Sequence, residues 1–152
     1  MTLANLLAIQ RLLAFSATPQ GVQRLLTAAA RNLADAQLKQ LSAENRFDAA
    51  YKRIMQCAML GLWAQGYRTS TSQPGHHQTA LQALPLTMGL PNDIIIVLDV
   101  LRKQRNLNDY EGDPVNDSVV RECLVQATSL LAHTQGFLKA NFPALLVSPA
   151  ST

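Results

Sequence analysis

One helical stripe of this chain is apolar for two turns and then becomes charged at its own centre. Set Ile94 at zero on a helical wheel advancing about 100° per residue. Val97, Leu98 and Leu101 then fall within about 60° of it and define a core-facing stripe. Arg105 falls at about 20°, with Asn108 and Asp109 on either side. A surface helix has no need of an arginine there. A guanidinium on a core-facing stripe requires acceptors, because an unpaired buried charge costs several kcal/mol (about 3–5). The fold must therefore supply a buried polar site, an interface or an anion-binding cleft at the end of this helix.

The rest of the chain must fold around that requirement. At 152 residues it is long enough for one domain with a real core. Only 5% of its residues are aromatic, while alanine, leucine and glutamine abound, which favours helix over sheet. Charged residues make up 15%, a small share from which a homodimer is expected. A net charge of +3 permits an anionic partner without demanding one. Cys57 and Cys123 lie inside helical patterns, and the apolar opening run carries Gln10 and Arg11 without a basic leader. These features read as a reduced, cytoplasmic protein with no membrane span.

Apolar spacing of three and four predicts roughly five or six helical segments. The first covers Leu3 to Ala14. Thr18 and Pro19 open a second that ends near Leu41. Ser42 caps a third, which carries Phe47, Ala50, Tyr51, Ile54, Ala58, Leu62 and Trp63 and stops at Gly66. Tyr67 to Gly75 reads as a polar loop. A shorter helix from about His77 to Met88 is interrupted by Pro85. Pro91 and Asn92 start the helix of the charged stripe, and Gly112 to Pro114 end it. Asp117 caps a long last helix that Pro143 terminates. No segment shows strand alternation. The expectation is an all-α, up-and-down bundle of four to five helices. It forms one domain over 1–152, with its core at 19–142 and a frayed tail at 143–152.

Three blocks add a family likeness. One is Ala30-Arg31-Asn32-Leu33-Ala34-Asp35-Ala36. The second is Arg46-Phe47-Asp48-Ala49-Ala50-Tyr51, followed by Gly66-Tyr67-Arg68 and Gly75-His76-His77. The third is Leu101-Arg102-Lys103-Gln104-Arg105-Asn106 through Tyr110. In this order and spacing they resemble the HEPN superfamily of small helical bundles, over roughly Leu25 to Gly112. The resemblance implies a dimer and an arginine–polar signature with a histidine a few positions later. In ribonuclease members, two copies of that motif meet across the dimer and cut RNA without a metal ion. The signature arginine maps to Arg105 and the polar residue to Asn106, while Tyr110 occupies the histidine position. This departure makes the chain similar to a branch with an Arg-x-x-x-Asp-Tyr ending.

Each candidate has a chemical role and a plainer one. Arg105 offers a planar fork of donors for a phosphate or a phosphorane, or a structural salt bridge to Asp109 at i+4. Tyr110 carries a phenol in place of an imidazole, and a phenol, with its ordinary pKa near 10, is a poor base at neutral pH. It can stack on a base or fill an interface, and it lies about 140° from Arg105 around the helix. His77, beside His76 after the loop, is the candidate replacement base, or a helix-end packing residue. Arg102, Lys103 and Arg105 form a basic cluster suited to nucleic acid, or an ordinary solvated face. Trp63 and Tyr67 read as core, although Tyr67 could stack on a base. No metal-ligand spacing and no cofactor motif is present.

Two function classes follow. One is an RNA- or nucleotide-engaging homodimer of toxin–antitoxin or defence type, acting as a metal-independent endoribonuclease through Arg105, Asn106, Tyr110 and His77. The other is a non-catalytic interaction or DNA-binding domain, such as the partner of a minimal nucleotidyltransferase.

Overall fold

A computed structural model describes residues 1–146 of the chain. Its described residues are mostly helical. In chain order the elements are α1 (Leu3–Ala8), β1 (Leu12–Ala14), α2 (Pro19–Ala36), α3 (Ala43–Ala64), β2 (Tyr67–Thr69), α4 (His76–Gln82), α5 (Leu84–Met88), α6 (Asn92–Glu111) and α7 (Asp117–Asn141). A 3-10 turn, Pro143–Leu146, follows.

Helix α3 is the axis of the fold. It buries Phe47, Ala50, Tyr51, Ile54, Cys57, Ala58, Leu60 and Leu62, which cover an arc of roughly 200° around it, while Asp48, Lys52 and Gln56 lie on the remaining side. So broad a buried arc needs several neighbours to cover it, and α2, α4, α5, α6, α7 and β2 all pack against it. Gly61 lets α5 come close to α3. A Cβ there would lie 2.9 Å from Thr87 Oγ1 and 3.2 Å from the Met88 side chain on α5.

Local chemistry sets most element ends. The Thr18 hydroxyl accepts a hydrogen bond from the Gly21 amide at 3.0 Å, with Pro19 in the first turn of α2. Ser42 does the same for Asn45 at 3.1 Å. Gly66 and Gly112 follow α3 and α6 with φ of +91° and +71°, the left-handed backbone that favours glycine.

Four expectations are corrected. The first helix stops at Ala8, where Gln10 takes φ +63°, and Leu12–Ala14 pairs antiparallel with Tyr67–Thr69. Three-residue strands are too short to show alternation, and this pairing forms only because the two segments meet in the fold. Leu12 is fully buried beneath it. Helix α2 ends at Ala36 rather than near Leu41, because Arg46 Nε donates to the Ala36 carbonyl at 2.9 Å and satisfies the helix end. Asn116, not Asp117, caps α7 by accepting from the Val119 amide at 3.0 Å. Of the tail, 143–146 packs on α2 and α7 instead of fraying. The remainder, 147–152, lies outside the described residues.

The expected break near Pro85 falls at Ala83, between α4 and α5. Cys57 and Cys123 are free and buried. Burial pushes their thiols up to about 11 and about 12, so both stay protonated at neutral pH. Among the described residues, no helix is long and apolar enough to cross a membrane.

Candidate functional site

Helix α6 carries Arg102, Asn106 and Tyr110 at i, i+4 and i+8, a single row along its side. Leu98 and Leu101 anchor the same helix in the core. Arg105 lies beside the row on the core-facing side, as its phase requires. Opposite stands the start of α4, entered through Gly75 at φ +76°. That turn presents His76 and His77 to α6. A cleft of about 340 Å³ results, bordered by His76, His77, Arg102, Arg105, Asn106 and Tyr110.

The candidates therefore meet despite the 140° between Arg105 and Tyr110. Arg105 reaches the cleft from its inner wall, while Tyr110 stands at the rim, 77% exposed. Lys103 is the exception. It borders a neighbouring hollow with Asn106, Leu107, Tyr110 and Glu111.

Arg105 has three neighbours of different character. Its Nε lies 2.8 Å from Asp109 Oδ2. That Nε is buried and its N–H is not aimed at the oxygen, so the contact is charge attraction rather than a hydrogen bond. Its guanidinium carbon lies 5.9 Å from the centre of the Tyr51 ring, within cation–π range. His77 is the third neighbour, since both residues line this cleft and a smaller one of about 250 Å³ on the α3 side, with Asp48, Tyr51 and Gln56.

The predicted basic cluster is largely compensated. Arg102 Nε donates to Asp99 Oδ1 at 2.8 Å, and Lys103 Nζ lies 3.4 Å from Asp99 Oδ2. With Asp109 on Arg105, three cations face two carboxylates. Burial pushes the Asp99 carboxyl up, but the Arg102 hydrogen bond and charge, with Lys103 behind, hold it below its ordinary value. The compensation is geometric: α6 places both acids one helical turn from the cations they serve.

His77 is the most perturbed group in the cleft. Burial lowers its pKa to about 4, and charge interactions with His76, Arg105 and Arg102 add to the effect. It is a neutral imidazole at neutral pH. Its Nδ1 lies 3.3 Å from the Tyr51 hydroxyl, and the edge of His76 meets it at 4.7 Å between ring centres. Burial raises the Tyr51 phenol well above its usual range, so it stays protonated beside that nitrogen.

Tyr51 and Asp99 are the members that sequence reasoning missed as site residues. Tyr51 has the spacing of a core residue, and it is one, with 2% of its surface exposed. Only the histidine and arginine laid against it mark it out. Asp99 carried a findable signal, an acid at i−3 and i−4 from two cations. No group of three or more potential metal ligands occurs among the described residues.

Chemically, the cleft has donors from Arg102, Arg105 and Asn106, a neutral imidazole, and a rim tyrosine. It can receive an anion, and an anion there would reverse the charge environment that depresses His77. Compared with known proteins, the chain matches no family profile, no curated protein and no solved structure.

Proposed function

We propose that the chain is an RNA- or nucleotide-engaging homodimeric module of HEPN type, of the kind found in toxin–antitoxin or defence systems, and that the α4–α6 cleft holds a phosphate. The observation that carries this reading is the convergence of Arg102, Arg105, Asn106 and His77 on one opening. Arg102 and Arg105 provide charge-assisted donors for phosphate oxygens. Asn106 orients the group, and Tyr110 at the rim is placed to stack on a base.

The homodimer is supported by the outer face of α6. Ile96, Val100, Lys103, Leu107 and Tyr110 follow one another at intervals of four and three. That is the spacing of a helix-pairing seam. Ile96 and Val100 are 66% and 59% exposed. In our reading a second copy covers the Ile96–Leu107 part of this row and leaves Tyr110 at the cleft rim.

One observation favours catalysis as a second reading. His77 supplies, from α4, the imidazole that Tyr110 replaces on α6. A ribose 2′-hydroxyl would attack the adjacent phosphorus and expel the 5′-oxygen, leaving a 2′,3′-cyclic phosphate. Arg105 would stabilise the phosphorane. His77, its pKa raised by the bound phosphate, would take the 2′-hydroxyl proton, and the departing 5′-oxygen would take one from solvent water and leave as a 5′-hydroxyl.

The deciding experiment presents RNA in EDTA to wild type, Arg105→Ala and His77→Gln, each checked for native mass. Wild type should bind as a dimer, and Arg105→Ala should lose about tenfold or more in affinity. Cyclic-phosphate ends from wild type, absent with His77→Gln, would establish cleavage. Binding without cleavage would make it a non-catalytic module. Equal RNA affinity in wild type and Arg105→Ala would overturn the phosphate assignment.

A further inference from the structure

The opposite end of α3 carries a second opening, built from different chemistry. A groove of about 510 Å³ lies where α3, α7, the 3-10 turn and the segment after β1 come together. Phe15, Trp63 and Phe142 line it, with Leu145 and Pro143. The Phe15 and Trp63 rings are 5.0 Å apart between centres and inclined by 42°. Phe142 in turn leans on Phe137 at 5.6 Å. The floor is a small separate core of Val22, Leu60 and Leu138. The aromatic walls are therefore fixed by packing and not free to collapse into the opening.

Two arginines flank these rings. The Arg68 guanidinium carbon lies 6.0 Å from the centre of the Phe15 ring. On the other side, Arg24 stands across Gly21 from Trp63: a Cβ placed on Gly21 would lie 3.9 Å from Arg24 Nη2 and 3.9 Å from the edge of the Trp63 ring, which puts the two within about 8 Å of each other. Neither arginine has an acidic partner among the described residues, unlike the cations on α6. Among the described residues, no acidic side chain lines the groove. Half-buried aromatic faces with uncompensated cations at the margins match one class of occupant. A flat base stacks on the rings while the phosphates of its strand meet the arginines. A purely apolar peptide would leave both cations without a counterpart.

We propose that the Phe15–Trp63–Phe142 groove is a stacking site for a base of single-stranded nucleic acid, separate from the α4–α6 cleft. Trp63 is the chain's sole tryptophan, so occupancy reads out directly in its fluorescence. The probe is a short oligodeoxyadenylate, which lacks the 2′-hydroxyl and so cannot be cut by the route considered above.

The oligomer should quench Trp63 saturably, and salt should weaken the effect. Phe142→Leu keeps the apolar packing but removes an aromatic face, and should weaken the quench roughly tenfold. Arg68→Gln should weaken it severalfold. Circular dichroism checks that both variants remain folded. Arg105→Ala should leave the quench unchanged, which distinguishes this site from the cleft. The inference fails if the oligomer does not quench, or if an abasic strand of equal length quenches equally. It fails also if Arg105→Ala abolishes the signal. Finally, an apolar dye that binds the groove and resists displacement by the oligomer would show that the groove takes an apolar protein segment instead.

Discussion

Arg53 and Arg105 are both arginines turned toward the interior, and the fold treats them differently. Arg53, on α3, is 5% exposed. Its Nε donates to the Ala127 carbonyl at 2.9 Å and its Nη1 reaches the Ala29 carbonyl at 3.5 Å. It ties α7 and α2 to the central helix, and no carboxylate answers it among the described residues. Arg105 is 26% exposed at its side chain and borders two clefts. Its neighbours are a carboxylate, an aromatic face and an imidazole. Burial alone therefore does not identify a functional cation. What separates the two is open volume beside the charge and titratable groups facing it. Arg53 has the signature of a strut and Arg105 that of a site.

The largest expected effect tests the strut. Arg53→Ala should cost about 3 kcal/mol in a denaturant titration, chiefly from the cavity left among three helices. Arg53→Met fills that volume and removes the desolvated charge, so it should cost no more than about 1 kcal/mol. Equal losses in the two variants would mean that the carbonyl contacts, and not volume, hold the helices together. Gly61→Ala comes next. Its new methyl would meet Thr87 and Met88 at 2.9–3.2 Å. The misfit should lower stability by about 2 kcal/mol, and an unchanged denaturation midpoint would show that α5 shifts without cost.

The same contrast explains what could be read from the sequence. Helix α3 was legible because its apolar residues recur at three- and four-residue spacing over a broad arc, and Ser42 and Gly66 mark its ends by ordinary capping chemistry. Arg105 was legible because it stands against the pattern around it. Arg53 was not, since α3 has no narrow apolar stripe for a charge to interrupt. The β1–β2 pair left no trace, because its pairing is a product of the tertiary fold. His77 could be named only from its place after a loop. That it faces Arg105 depends on how α4 docks, and nothing local encodes this. Tyr51 was hidden by its own burial.

His77 provides a smaller effect with a defined sign. Its folded pKa, about 4, lies below the ordinary value near 6.5. Between those values the unfolded chain binds more protons than the native one. Stability should therefore fall as pH drops from about 6.5 toward about 4. Allowing for the solvent near a half-buried ring, the loss should be about 1–2 kcal/mol. His77→Gln should flatten this part of the pH profile. If the variant keeps the full slope, the acid sensitivity belongs to another group.

The smallest stability effect belongs to the residue with the largest proposed role. The Arg105–Asp109 pair is partly exposed and its contact lacks hydrogen-bond alignment. Arg105→Ala should cost less than about 1 kcal/mol, the ordinary worth of such pairs, while RNA affinity falls tenfold or more. A nuclear magnetic resonance titration of His77 sharpens this further. Inorganic phosphate in the cleft supplies negative charge beside the ring, so the His77 pKa should rise in wild type. In Arg105→Ala the unliganded pKa should already be higher, because one of the lowering charges is gone, and phosphate should move it less. A large stability loss in Arg105→Ala, with no response of His77 to phosphate in wild type, would make Arg105 a second strut and remove the distinction drawn between the two arginines.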